Sequence, residues 1–347
     1  MKVLHVGKFY PPVRGGVETY VRDVCEGLAE KAEVSCVVSG AGSVENVNGV
    51  RVFRLPKLPF RHPVSLSLLS FLKNNKFDVV HLHVPNPWAE FCCLLAKPKR
   101  LIVTYHADVV KKFGSSFVLP IQRKVLSMAE KIVVFSREYA DSSPVLRDFK
   151  DKIAIVPYGI DINKFKKFDK SRVNELRSLG KGPFFLFVGR LVRYKGLRFL
   201  IKAMQSVNGT LFIVGNGPLL SNMRSIADER VHFFTKVSDD DLVNFYNACD
   251  VFVLPSTTRA EAFGIVQLEA MACKKPVIST KLGTGVDFVN KSGLLVKPAD
   301  VDALSSAMNS LQNKSLRSKV GKAGFERAKK HFSCAQMINR LLDLYSS

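Results

Sequence analysis

Short, continuous apolar runs alternating with longer amphipathic segments, twice over, constrain this chain more than any other feature. KVLHV, FDVVHLHV, LIVTY, KIVVF and IAIV occupy the first half; FFLFV, TLFIV, VHFF, VFVLP and PVIS occupy the second. Runs that stay apolar at every position suit strands buried on both faces, the condition inside a parallel sheet. The intervening segments carry a single apolar stripe, as Val17, Tyr20, Val21, Val24 and Leu28 do, which predicts helices laid on that sheet. Helices on both faces of a parallel sheet make a doubly wound α/β domain. At 347 residues the chain exceeds what one core usually holds, so two such domains are expected. The stretch VPYGIDINKFKKFDKS, 156–171, breaks the rhythm with turn signals and lysines and reads as the hinge. The domains then span 1–165 and 166–330, with 331–347 a C-terminal helix packing back on the first. Doubly wound sheets bind ligands beyond the carboxyl ends of their strands, so two of them facing a cleft place candidate residues just after strands.

Composition excludes several classes. No apolar run approaches the ~20 residues of a membrane-spanning helix. The N-terminal MKVLHVGKFYPP reads as strand and loop rather than a secretory signal. Seven scattered cysteines form no CxxC or Cys/His ladder, which points away from structural zinc and towards a reducing cytoplasm. Against this stands a formal charge of +22, spread over both halves, which favours a polyanionic partner such as nucleotide phosphates or an anionic bilayer. Nucleic acid is the third polyanion, but no recognisable nucleic-acid-binding motif is present and the basic residues are not interleaved with aromatics. The stretch RVFRLPKLPFRHPVSLSLLSFLK, 51–73, suits docking on an anionic membrane surface; the competing reading is a core helix at 64–72 preceded by a loop.

Four strand-end clusters carry the candidate chemistry. In EAFGIVQLEAMA, Glu261 lies in the loop after VFVLP and Glu269 inside a helix starting near Gly264 and ending about Cys273. The free N–H groups of that helix start favour an anion. Glu269 leans back towards the same place, because helical side chains tilt N-terminally. Ionised carboxylates only accept hydrogen bonds and repel phosphate, so the combination suits a ligand with both phosphate and sugar diols. In FVGRLVRYKG, Arg190 follows its strand and Lys195 precedes the next helix, a fork and a point charge able to hold a diphosphate and stabilise it as it departs. In VGKFYPPVRGGVET, Gly15 and Gly16 precede a helix and would let backbone amides approach a bulky anion. In LIVTYHADVV, His106 follows its strand with Asp108 two residues on, placed either to meet substrate or to cap the sheet. His81 and His83 read as strand residues that could line the cleft. Asn216 begins a turn after TLFIV. Asp239, Asp240 and Asp241 after Ser238, and Asp300 with Asp302, read as helix caps and acidic first turns rather than a metal site. Neither a dinucleotide fingerprint nor a P-loop occurs.

On these residues the chain resembles a family 4 retaining glycosyltransferase of the GT-B fold over essentially its full length. The resemblance rests on PPxxGGxE at 11–18, His106, VPYGID at 156–161, FVGRLVRYKG at 187–196 and the GNGP turn. VSDDDLVNFYNACDVFVLPS and the E-x7-E pair Glu261 and Glu269 complete it. It implies transfer of a hexose from a nucleotide-diphosphate sugar, GDP-mannose or a UDP-hexose, to an acceptor hydroxyl with retained configuration and no metal or other cofactor. The acceptor would be a glycan or lipid-linked sugar of cell-surface polysaccharide or glycolipid synthesis. The enzyme would be cytoplasmic and peripheral on the inner membrane face. Residue by residue, Arg190 and Lys195 would bind the donor phosphates, Glu269 the ribose and Glu261 the transferred sugar. Phe263 and Gly264 would offer backbone amides, Gly16 would close over the phosphates, and His106 would meet the sugar near the reacting carbon. Asn216, Lys236, Ala262 and Ile265 complete the expected donor contacts, with His106, Glu261, Arg190 and Lys195 as the catalytic set. Three departures stand out: Lys274 and Thr235 where glycine is frequent, and Asp287 where glutamate is usual. The alternatives are a nucleotide-sugar epimerase of similar fold, a catalytically silent paralogue, which the complete set of site residues argues against, and a basic nucleic-acid-binding module.

Overall fold

A computed structural model describes residues 1–13, 15–59, 64–108, 115–261, 264–282, 289 and 292–347. The chain divides into two compact units, Met1–Gly159 with Cys334–Ser347, and Ile160–Ser333. The first holds an eight-stranded sheet of β1 (Lys2–Val6), β2 (Glu33–Gly40), β3 (Ser43–Val47), β4 (Val50–Pro56), β5 (Val79–Val84), β6 (Leu101–Tyr105), β7 (Lys131–Val134) and β8 (Ile153–Ile155). The order is β3-β4-β2-β1-β5-β6-β7-β8, parallel except for β3, which pairs with β4 as a hairpin. Asn48 and Gly49, both at positive φ, turn that hairpin, as its two-residue loop requires. Covering this sheet are α1 (Gly16–Ala29), α2 (Ser67–Asn74), α3 (Pro87–Ala96), α4 (Ser115–Met128) and α5 (Arg137–Ser142). Tyr20, Val21, Val24, Cys25 and Leu28 form the buried stripe of α1.

The second unit repeats the plan with β9 (Phe184–Val188), β10 (Thr210–Val214), β11 (Val231–Phe234), β12 (Val251–Leu254), β13 (Val277–Thr280) and β14 (Leu294–Val296), ordered β11-β10-β9-β12-β13-β14 and all parallel. Its helices are α6 (Lys170–Ser178), α7 (Leu197–Met204), α8 (Leu220–Ser225), α9 (Asp239–Ala248), α10 (Ile265–Ala272), α11 (Val301–Ser310) and α12 (Lys314–His331). Every residue of β9, β10 and β12 is buried, as a sheet covered on both faces demands. Ser238 and Asp300 cap α9 and α11 through their side chains, accepting from Asp241 N and Ala303 N. Both aspartate runs therefore do helix-cap work.

Three expectations change. The units divide at 159/160 rather than 165/166, because Ile160 bonds to Phe332 and Phe165 is buried where its carbonyl accepts from Asn247. The stretch 156–171 is thus largely built into the two units, with Val156, Tyr158, Ile160 and Phe165 buried. Residues 331–333 stay with the second unit, and the C-terminal helix α13 (Cys334–Ser346) lies in the first, its Ile338 side chain against Gly27 of α1. Finally, 51–56 is not a free apolar-basic segment but most of β4, and the helix begins at Ser67; 60–63 lie outside the described residues. Among the described residues no helix is long and apolar enough to cross a membrane.

Helix α10 ends in a Schellman turn: Lys275 N bonds to Ala270 O, and Lys274 N to Met271 O, with Lys274 at φ 57°. This is the left-handed position where the resemblance leads one to expect glycine, and lysine there costs about 1 kcal/mol. Its ammonium sits 4.9 Å from the Phe325 ring centroid, an offsetting contact. The turn packs on Gly321 of α12, where an added Cβ would collide with the Lys274 carbonyl oxygen.

The first sheet buries four imidazoles at adjacent positions: His5 on β1, His81 and His83 on β5, and His106 just after β6. His81 bonds to Tyr345 Oη at 2.5 Å through Nδ1 and to Thr104 Oγ1 at 2.6 Å through Nε2, tying the C-terminal helix to the sheet. Burial drives His5 and His106 down to about 3, and His81 and His83 well below the usual histidine range. Nearby, Glu90 on α3 is buried and accepts from Asn86 N at 2.6 Å, and burial pushes its carboxyl up to about 7.

Two outcomes are expected. Alanine for a helix-interior glycine ordinarily stabilises by about 1 kcal/mol. Gly321→Ala should instead lower the calorimetric transition of the second unit, because overpacking costs about 1–3 kcal/mol. The second concerns acid. Below its unfolded pKa of about 6.5 each buried histidine takes a proton when unfolded but not when folded, so stability falls as pH drops, by about 1.4 kcal/mol per pH unit per histidine. Glu90 acts with the opposite sign between 4.5 and about 7, since the folded carboxyl keeps a proton that the unfolded one has lost. The histidines outnumber it. The first unit should therefore lose stability from about pH 6.5 to 5, read by urea unfolding of Trp88, the chain's one tryptophan, and His5→Phe should flatten that slope by about one proton.

Candidate functional site

The carboxyl ends of β9 and β12 in the second unit converge on a charged pair. Lys195 closes a short 3-10 turn, Arg193–Lys195, before α7, and its Nζ lies 2.5 Å from Glu261 Oε2; the side chains are only 11% and 12% exposed. Ser256 Oγ donates to the same carboxylate oxygen at 2.8 Å. The loops bearing the pair are locked together, with Thr257 N bonded to Tyr194 O at 2.7 Å and Thr280 Oγ1 to Ser256 O at 2.7 Å. Gly196 makes this possible. It sits at φ 70° and so close to the Pro255 carbonyl that any side chain would strike it. The lysine-glycine step is therefore a geometric device that presses the two loops into register.

Glu269 lies on α10, half-buried, and accepts from Tyr246 Oη of α9 at 2.6 Å. The tyrosine orients this carboxylate, and its own hydroxyl is driven far above the usual range by burial and by that carboxylate. Gly264, left-handed and buried, is the N-cap of α10, and Ile265 is its first helical residue. Ala262 and Phe263 lie outside the described residues, as does Asp287.

Arg190 follows β9 directly, is exposed, and has no ion-pair partner among the described residues. Its loop is stitched to the Asn216 loop: Gly189 N bonds to Val214 O, and Leu191 N to Asn216 O. The Asn216 side chain accepts from Gly217 N at 2.7 Å, so this residue shapes the turn as well as standing at a strand end. Lys236 lies two residues past β11, exposed, and Thr235 between them is half-buried. An open hollow of about 400 Å3 lined by Lys167, Phe168, Asp169, Asp240, Asp241 and Asn244 is a different place. Its polar groups serve caps and ion pairs, such as Arg172 to Asp241 at 3.1 Å and Asp169 N to Asn244 Oδ1 at 2.8 Å.

In the first unit, Gly15 caps α1 in an extended conformation open to any residue, and the Glu18 carboxylate lies over it. The glycine pair thus owes nothing to left-handed backbone, and the helix start already carries an acid. Gly16 begins α1 and is exposed. His106 is 6% exposed, its backbone N bonded to Val84 O at 2.9 Å. Its Nε2 shares a 3.1 Å hydrogen bond with His83 Nδ1, and His83 Nε2 another of 3.0 Å with His5 Nδ1. His81 and His83 are therefore interior residues rather than cleft lining. Asp108 is held by Tyr105 Oη and Ser143 Oγ, a structural use. Sequence reasoning missed His5, Tyr246 and Ser256. The last had a signal, a hydroxyl directly after the VFVLP strand end; the other two become visible only through strand and helix neighbours. Among the described residues no cluster of three or more His, Cys, Asp or Glu side chains is placed to hold a metal ion.

Comparison with known proteins gives the family and the fold. The family described as Glycosyl transferases group 1 matches residues 169–327, and Glycosyltransferase Family 4 matches 14–164. O-antigen chain mannosyltransferase C of Escherichia coli is 32% identical over 100% of this chain and 98% of its own. D-rhamnosyltransferase WbpZ of Pseudomonas aeruginosa is 32% identical over 89% of this chain and 86% of its own. In fold, sucrose-phosphate synthase of Thermosynechococcus elongatus superposes with a TM-score of 0.84 at 23% identity, covering 99% of this chain and 98% of that one. Two doubly wound units, and a relative 32% identical from end to end, make this chain a member of glycosyltransferase family 4 with the GT-B fold.

Proposed function

We propose that this glycosyltransferase moves a hexose from GDP-mannose or a UDP-hexose to a hydroxyl of a glycan or lipid-linked acceptor, with retention and without a metal ion. The second unit binds the donor and the first the acceptor, at the cytoplasmic face of a membrane. The observation that carries the reading is the buried Lys195–Glu261 pair, with exposed Arg190 and Tyr246-oriented Glu269 in the same unit. Two cations suit a diphosphate; two carboxylates suit the hydroxyls of ribose and hexose. GDP-mannose stands first among donors, because one relative is named for mannose and the other for rhamnose, a deoxymannose.

In the proposed step the acceptor oxygen attacks the anomeric carbon on the face the diphosphate is leaving. The carbon–oxygen bond to phosphate breaks, and the acceptor proton passes to a departing phosphate oxygen. The protein orients the partners and stabilises the charge that develops on the diphosphate, the task of Lys195 and Arg190.

A thermal-shift panel of GDP, UDP, ADP and a single-stranded oligonucleotide, each with and without EDTA, tests this. One nucleoside diphosphate at roughly 100 times its Kd should stabilise by about 2.7 kcal/mol, unchanged by chelator. Arg190→Ala is the clean variant, since Lys195→Ala would strand a buried glutamate and destabilise the fold itself. Loss of a charge-assisted hydrogen bond worth about 1.5–3 kcal/mol should weaken the nucleotide roughly 10- to 150-fold. Glu269→Ala should do likewise for a nucleotide but spare inorganic pyrophosphate. A response to the oligonucleotide alone, or one abolished by EDTA, overturns the proposal, and product anomer analysis decides retention.

A further inference from the structure

His106 ends a line of three imidazoles carried on adjacent strands. In the register of β1 and β5, His5 faces His81, and His83 stands two residues on, on the same side. His83 pairs in register with Thr104 of β6, two residues before His106. The result is a continuous hydrogen-bonded chain, His106 Nε2 to His83 Nδ1 and His83 Nε2 to His5 Nδ1, at 3.1 and 3.0 Å. His81 stacks on His83 with ring centroids 4.9 Å apart and planes 10° from parallel, and its own nitrogens are taken by Tyr345 and Thr104. The ring of His83 therefore has little freedom to turn.

A neutral imidazole carries one proton and offers one lone pair. Between two neutral imidazoles one nitrogen must donate and the other accept, so the choice at one link dictates the next. The line has two self-consistent states: every Nδ1 carries the proton, or every Nε2 does. They differ at the far end. His5 Nε2 is fully buried and has no partner among the described residues. With protons on Nε2, the line ends in an orphaned N–H; with protons on Nδ1, it ends in an orphaned lone pair. Buried N–H groups without an acceptor are the rarer and costlier case. Charge does not disturb this choice, because burial and the nearby Lys8 ammonium keep His106 neutral.

Resting on the transferase reading above, we infer that His83 and His5 are positioning residues that hold His106 as its Nδ1–H tautomer, so that His106 donates a hydrogen bond to a hydroxyl oxygen of the sugar acceptor bound by the first unit. His106 then acts as a neutral electrophilic contact rather than a base. The proton of the acceptor hydroxyl has to leave by another route, as the proposed step already provides. His5, buried and remote from solvent, sets the proton position on a residue two links away.

Long-range proton–nitrogen NMR on the full chain labelled with 15N-histidine reads which ring nitrogen is protonated, without any substrate. Single substitutions assign the seven histidines. In the wild type at pH 7.5, His106 should show protonated Nδ1 and bare Nε2. His83→Leu removes the donor and should convert His106 to Nε2–H or a mixture. His83→Asn, whose amide nitrogen falls near the lost Nδ1, should restore the wild-type pattern. In turnover, His83→Leu should lower kcat roughly 10-fold, about the worth of one hydrogen bond, with KM for the nucleotide sugar little changed, and His83→Asn should recover most of it. Protonated Nε2 on wild-type His106, or a tautomer indifferent to His83→Leu, overturns the inference. Should no nucleotide sugar be turned over while the NMR pattern holds, the transferase proposal fails and the tautomer assignment survives.

Discussion

The charged pair of Lys195 and Glu261 governs how the second unit is built. Each side chain is nearly nine-tenths buried, and stripping water from both costs several kcal/mol that their attraction only partly returns. A pair held under those terms needs loops with no freedom to separate. That rigidity is visible in the Tyr194–Thr257 bond, in Thr280 gripping the Ser256 carbonyl, and in the glycine at 196 pressed against Pro255. Only parallel neighbours β9 and β12 bring these loops side by side, so the requirement reaches down to the strand order. An anion arriving at Lys195 and hydroxyls arriving at Glu261 would find both groups already desolvated and aimed, the arrangement that electrostatic preorganisation calls for.

The first unit uses the same doubly wound plan with opposite chemistry. Where the second sheet ends in paired charges, the first ends in imidazoles that burial keeps neutral. Neutral groups can be buried more cheaply if their protons have acceptors, and the line of three histidines supplies acceptors for two of its three protons with side chains alone. One family fold thus carries a unit with a buried ion pair past its strand ends and a unit that buries neutral imidazoles.

Much of this was legible in the sequence because fully buried strands leave a plain signature. The ten apolar runs all became strands, though the edge strands β8 and β11 are only partly buried, and α1 buries the stripe its spacing implied except Val17, which is half-buried. What was missed failed for local reasons. In β2 the serines of EVSCVVSG break the run, β3 is largely exposed and polar, and β14 is only Leu294–Val296. At the site, strand-end position picked out Arg190, Lys195, Glu261 and Glu269, but not that Lys195 and Glu261 touch. Contact between residues so far apart in the chain depends on which strands are neighbours. The histidines show the same limit: HLH on β5 and the imidazoles at 5 and 106 look unrelated until β1, β5 and β6 lie side by side.

The same neighbour relations between strands involve helix α13. Helix α13 turns Met337, Ile338, Leu341 and Tyr345 inward along one stripe, and Met337 sulfur accepts from Gly159 N just before the chain first leaves this unit. At its far end Tyr345 Oη meets His81, and the Tyr345 carbonyl takes Arg100. The last turn of α13 therefore holds the ring that stacks on His83, the middle of the imidazole line to His106. A segment that sequence alone marks as a terminal amphipathic helix is part of the support for a residue at the opposite end of that line. Its apolar stripe supplies the docking energy, and one hydroxyl supplies the register.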